Sequence, residues 1–249
     1  MDLDGRIAVI TGATGQLGRV MARTLAAHGA DIAVCYKQNG AMAETLADEI
    51  RGMGRRALPI KTDITDETAV YRLRDAVAEA LGAADIVVNN AVIQYTWTRV
   101  LDQDLADFKS QFDACVMQSV LTAKAFLPGM IEKGGGRFIG INTECSALCN
   151  ANSGAYAAAK RGMDGLYRVL AKEVGEYGIT VNQVAPGWTV SDRDRAEHTE
   201  ISPAYAGNIP LKRRGTDQEI ADAVGFLASD NASFITGVCL PVSGGAVMV

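Results

Sequence analysis

Short apolar runs rich in β-branched residues alternate along this chain with longer stretches whose apolar positions recur at helical spacing. The runs at residues 6–11, 31–36, 57–61, 85–89, 137–142, 180–184 and 237–242 predict strands. Helices are expected over 16–28, 41–52, 66–81, 104–132, 153–177 and 217–229. Strand and helix in steady alternation mean parallel pairing, because a parallel crossover needs a dozen or more residues and usually returns as a helix over one face. The expected fold class is α/β, a single-domain doubly wound parallel sheet of about seven strands with helices on both faces, over 1–249. No repeat or linker interrupts the pattern, and the one long irregular tract, 186–215, is a candidate lid over a substrate.

Composition narrows the picture. With 249 residues, 48% of them hydrophobic, the chain can bury one large core. The net charge of -5, without a basic stripe, argues against nucleic acid as a partner. No uninterrupted apolar run has the length of a membrane span, and acidic Asp2 and Asp4 stand where a signal region would be basic, so a cytoplasmic location with no membrane partner is expected. Cys35, Cys115, Cys145, Cys149 and Cys239 form no Cys-x-x-Cys pair and read as reduced thiols, with no metal site.

Tyr156 and Lys160 carry the clearest chemical signal. Four residues apart on one helix, they leave the same face. A nearby ammonium favours phenolate, so this spacing predicts a tyrosine with lowered pKa that can pass a proton to a carbonyl oxygen. The first strand runs into Thr11-Gly12-Ala13-Thr14-Gly15-Gln16-Leu17-Gly18, a turn whose glycines let backbone approach a pyrophosphate at a helix N-terminus. At the end of the second strand, where an acidic residue would bind the ribose 2′-hydroxyl of NAD, the chain reads Cys35-Tyr36-Lys37. Lys37 can neutralise a 2′-phosphate, so NADP(H) is the preferred cofactor, with NAD(H) possible.

Taken with Asn89-Asn90-Ala91 and Pro186-Gly187, these motifs make the chain resemble the short-chain dehydrogenase/reductase family over nearly its whole length. Phe234-Ile235-Thr236-Gly237 and Ser243-Gly244-Gly245 look like its single-domain branch of 3-oxoacyl-carrier-protein reductases and sugar or polyol dehydrogenases. The resemblance implies a Rossmann sheet, reversible hydride transfer between an alcohol and a carbonyl, and a homo-oligomer, tetramer or dimer. It implies that Tyr156 is the acid/base, that Lys160 holds the nicotinamide ribose, and that Thr143, thirteen residues before the tyrosine, binds the substrate oxygen in place of the usual serine. Ser146 is a possible substitute at the wrong spacing. Asp63 resembles the residue that meets the adenine, Asn90 and Ala91 line the cofactor loop, and Pro186, Gly187 and Thr189 approach the carboxamide.

Three departures from the family pattern stand out. Cys115 takes the place of the helical Asn of the proton relay, Gln16 takes a usual glycine position, and Val92 replaces another glycine. Gln94, Trp97, Glu144, Trp188 and Arg193 are expected around the substrate, with Tyr95 and Arg195 as further candidates, and this polar rim points to a small polar compound. The alternative is an NADP(H)-binding redox sensor without turnover, which intact Thr143, Tyr156 and Lys160 argue against.

Overall fold

The computed structural model describes residues 1–248. Its strands are β1 (Ile7–Ile10), β2 (Asp31–Tyr36), β3 (Ala57–Lys61), β4 (Ile86–Asn89), β5 (Gly136–Ile141), β6 (Ile179–Pro186) and β7 (Cys239–Val242). They form one parallel sheet in the order β3-β2-β1-β4-β5-β6-β7, so the direction of winding reverses between β1 and β4. Backbone loops diverge at that switch point and leave a crevice at the carboxyl ends of the strands.

Side-chain alternation explains why both faces are covered. In β1, Ala8 and Ile10 join one buried cluster while Ile7 and Val9 join the other. β2 repeats this, with Ile32 and Val34 on one side and Ala33 and Cys35 on the opposite side. The first cluster is covered by α1 (Gln16–Ala27), α2 (Gly40–Gly52) and α10 (Asp217–Ala228). The second is covered by α3 (Glu67–Ala80), α5 (Gln118–Lys133) and α7 (Gly154–Val174). Truncating a fully buried residue such as Leu46 to alanine costs about 2–5 kcal/mol at sites of this kind.

Two expectations need correction. The helix expected over 104–132 is not regular: α4 (Leu105–Phe112) passes into a π-helical segment, Asp113–Met117, before α5. The wider i→i+5 turn is a local change of pitch that a periodicity argument averages away. The tract 186–215 is not without structure either, for it contains α8 (Asp192–Ala196) and α9 (Pro203–Asn208). Ser191 and Asp194 form a reciprocal capping box that fixes the start of α8. The helical run Leu105–Lys133 has the length and mean hydropathy, 1.3, of a membrane span, but 61% of that apolar window is buried in the protein, consistent with a core helix.

Candidate active site

A cleft of about 840 Å³ opens at the switch point, and the glycine turn forms its floor. Gly12 has φ +63, and a Cβ there would stand 2.8 Å from the Cα of Ala91. A Cβ on Gly18 would meet the Cα of Ala13 at 2.7 Å, so turn and helix pack too closely for any side chain. Thr14, Gly15, Gln16 and Leu17 also line the cleft. The loop after β4 is tied to this turn: the Asn90 amide donates to the carbonyls of Thr11, at 3.0 Å, and Gly12, at 3.1 Å. Asn89 instead braces the sheet, its amide donating to the Tyr167 hydroxyl at 2.9 Å. These features fit a dinucleotide, whose pyrophosphate needs close backbone approach at a helix N-terminus.

Tyr36, Lys37 and Asp63 stand together at one end of the cleft. Lys37 Nζ lies 2.7 Å from Asp63, and both side chains are partly exposed. Burial pushes the Asp63 carboxyl up, but hydrogen bonds from Lys37 and Thr65 outweigh it and leave the group below its usual range.

Thr143, Tyr156 and Lys160 line the other end, with Ala91, Gln94, Pro186, Gly187 and Thr189. Thr143 lies two residues beyond the end of β5, ahead of the short helix α6 (Cys145–Leu148), and its hydroxyl accepts a bond from the Cys145 N–H at 3.2 Å. Its proton is thereby free to be donated. Ser146 is no substitute, because its hydroxyl donates to the Thr143 carbonyl at 2.9 Å. The Lys160 ammonium donates to the Ile141 carbonyl at 2.5 Å and sits 5.6 Å from the centre of the Tyr156 ring.

The lowered pKa expected for Tyr156 is not what the protein alone produces. Burial pushes the phenol well up, the Cys115 and Cys145 thiols add to the rise, and a hydrogen bond with Thr143 offsets only part of it. The physical reason is desolvation, which disfavours phenolate more than its surroundings favour it. Cys115 itself is buried within the π-helical segment, and its carbonyl accepts a bond from Ser119 Oγ at 2.8 Å.

The expected polar rim is largely turned away from this cleft. Glu144, 7% exposed, lines a separate cavity of about 330 Å³ and accepts a hydrogen bond from Tyr205 of α9 at 3.0 Å. Burial pushes the Glu144 carboxyl above its usual range and the Tyr205 phenol up to about 12. The same phenol oxygen accepts the Trp188 N–H at 2.9 Å, so Tyr205 ties α9 and the Trp188 backbone to Glu144, the neighbour of Thr143. Arg193 is not a cleft residue: its side chain is 82% exposed and pairs with Glu197 at 2.9 Å. Arg195 pairs with Asp192 and Asp217. Trp188 lies edge-on to Tyr205 and under the Arg214 guanidinium, 4.2 Å from its ring centre. Trp97 stands nearer the tyrosine, with its ring centre 5.8 Å from that of Tyr156.

Residues absent from the sequence reading hold much of this together. Gln118 is buried and donates to the Ala91 carbonyl at 2.9 Å while accepting from Thr11 Oγ1 at 3.2 Å. Asn142 donates to the Lys160 carbonyl at 3.2 Å and accepts from the Thr143 N–H at 2.8 Å. Tyr205 and Arg214 lie in an irregular tract with no spacing signal that would single them out. Gln16, the glycine departure, donates to the Val190 carbonyl at 2.7 Å and accepts from the Asp192 N–H at 3.1 Å, so it joins the glycine turn to the start of α8.

Comparisons with known proteins agree in kind. A family model described as Enoyl-(Acyl carrier protein) reductase matches residues 12–247. The 3-oxoacyl-[acyl-carrier-protein] reductase of Escherichia coli (strain K12) is 37% identical over 252 residues, covering 100% of both chains. A 7 alpha-hydroxysteroid dehydrogenase, solved with NADH and 7-oxo glycochenodeoxycholic acid, superposes with a TM-score of 0.90 at 34% identity, covering 100% of this chain and 96% of that one. A blue fluorescent protein from a metagenomic library, solved with NADPH, gives 0.91 at 31% identity over the whole of both chains.

Proposed function

For a chain that belongs to the short-chain dehydrogenase/reductase family, and so is an NAD(P)-dependent oxidoreductase of carbonyl and alcohol groups, we propose that Tyr156 is the proton donor, Thr143 the hydroxyl that fixes the substrate oxygen and Lys160 the cation beneath them. The observation that carries this reading is the convergence of the three side chains in the cleft floored by the glycine turn. The nicotinamide supplies or accepts the hydride when bound. Gly12, Gly15 and Gly18 would take the pyrophosphate against backbone, and Asn90 would hold that turn in shape.

In this reading the substrate carbonyl receives hydrogen bonds from the Thr143 and Tyr156 hydroxyls, which orient it and stabilise negative charge as it develops on oxygen. A phenol kept neutral by burial is in the acid form that reduction needs. Lys160 uses one of its three donors on the Ile141 carbonyl, which leaves two that would hold a ribose hydroxyl of the bound cofactor. NADP(H) is the favoured cofactor, because a cation and no carboxylate stands at the end of β2, while NAD(H) remains the alternative. A cytoplasmic homotetramer or dimer, with 186–215 as its substrate lid, completes the proposal.

Tyr156→Phe tests it. Turnover should fall at least about 100-fold while cofactor binding stays within about twofold. Retained turnover removes Tyr156 from the reaction. The pH profile adds a second check: reduction requires the protonated phenol, whose pKa lies above the ordinary value of about 10, so kcat/KM should stay level through about pH 9. Oxidation of the alcohol needs the phenolate and should rise over the same alkaline range. A reduction rate that falls through neutral pH contradicts the assignment.

A further inference from the structure

Building on the proposed reaction, we infer that the substrate is a ring-bearing ketone or secondary alcohol whose ring lies against an aromatic wall formed by Tyr95 and Trp97. The wall stands directly beside the proposed proton donor. Tyr95 and Trp97 stack with ring centres 5.5 Å apart and planes inclined by 26°. Each also meets the Tyr156 ring, at 6.0 Å for Tyr95 and 5.8 Å for Trp97. Tyr95 is partly buried behind the pair and supports it, whereas Trp97 is 52% exposed. A large indole surface left open beside the Tyr156 ring is an apolar face awaiting cover, and a flat or cyclic ligand covers it best. Val100 extends the same surface over the start of α7, where its Cγ2 occupies the space a side chain on Gly154 would need.

The aromatic wall is the contact for the ring, and Thr143 and Tyr156 place the carbonyl end.

The test is a ketone panel followed by loss of reduced-nicotinamide absorbance, using cyclohexanone and acetophenone against 2-hexanone and acetoacetate. The wild-type enzyme should show kcat/KM at least about tenfold higher for the ring ketones. Trp97→Leu keeps apolar bulk but removes the aromatic face, and should erase that preference by lowering kcat/KM for the ring ketones about tenfold more than for 2-hexanone. Trp97→Phe should restore most of it. Cofactor binding, measured separately for each variant, shows that the cleft is intact. Equal or better turnover of the acyclic ketones by the wild type, or a ring preference that survives Trp97→Leu, overturns the aromatic wall and leaves hydride transfer standing. A wild type that binds NADPH and reduces none of the four overturns both the wall and the proposed reaction.

Discussion

Lys37 is the side chain on which the proposed preference for NADP(H) rests. Its ammonium is half exposed and paired with Asp63, and an exposed pair of this kind is worth only about 0–1 kcal/mol. The ammonium can therefore re-partner with a 2′-phosphate at little cost, and the residue that follows β2 is this lysine rather than an acid. Lys37→Ala should raise the KM for NADPH roughly five- to tenfold and leave that for NADH nearly unchanged, as read from steady-state kinetics with each cofactor. An equal effect on both would show that the lysine acts on the adenine end without discriminating. Tyr156 makes a complementary point. Its spacing to Lys160 was legible, but the direction of its pKa depends on how thoroughly α7, Cys115 and Cys145 bury it.

Among the elements, the segment 188–215, proposed as the substrate lid, is the place where a local change should have a local result. Arg214, 2% exposed at its side chain, donates to the Thr189 carbonyl at 2.8 Å, the Thr199 carbonyl at 3.1 Å and the Asp194 carboxylate at 2.7 Å. One guanidinium thus clips both ends of α8 to the segment before α10. Loss of these bonds should appear as local opening of this segment, because the sheet does not depend on the pair. Arg214→Met should make the segment 188–215 much more sensitive to limited proteolysis and lower kcat/KM about tenfold or more, with a smaller change in the global unfolding midpoint. Lid protection equal to the wild type would contradict this.

At the scale of the molecule, the cleft joins β1, β2, β4, β5 and α7, so a bound dinucleotide should stabilise the whole sheet. NADPH at 100 times its Kd adds about 2.7 kcal/mol, worth roughly 5–10 °C in melting temperature for a chain of this length. Thermal scans with NADPH and NADH at equal concentration should show the larger shift with NADPH. Equal shifts would favour NAD(H) as a full alternative.

Much of this was written in local pattern. The alternation of Ile7 and Val9 against Ala8 and Ile10, the glycines at 12, 15 and 18, and the four-residue step from Tyr156 to Lys160 each depend on near neighbours, and so determine strand, turn and shared helix face by themselves. Three-dimensional packing decided what those elements face. Gln16 meets Val190 across 174 positions and Glu144 meets Tyr205 across 61, separations over which no periodicity carries information. The π-helical segment that sets Cys115 beside the phenol, the outward turn of Arg193 and the exposed indole of Trp97 follow from the same cause. Burial and charge pairing are properties of neighbours in space, and only the folded chain supplies those neighbours.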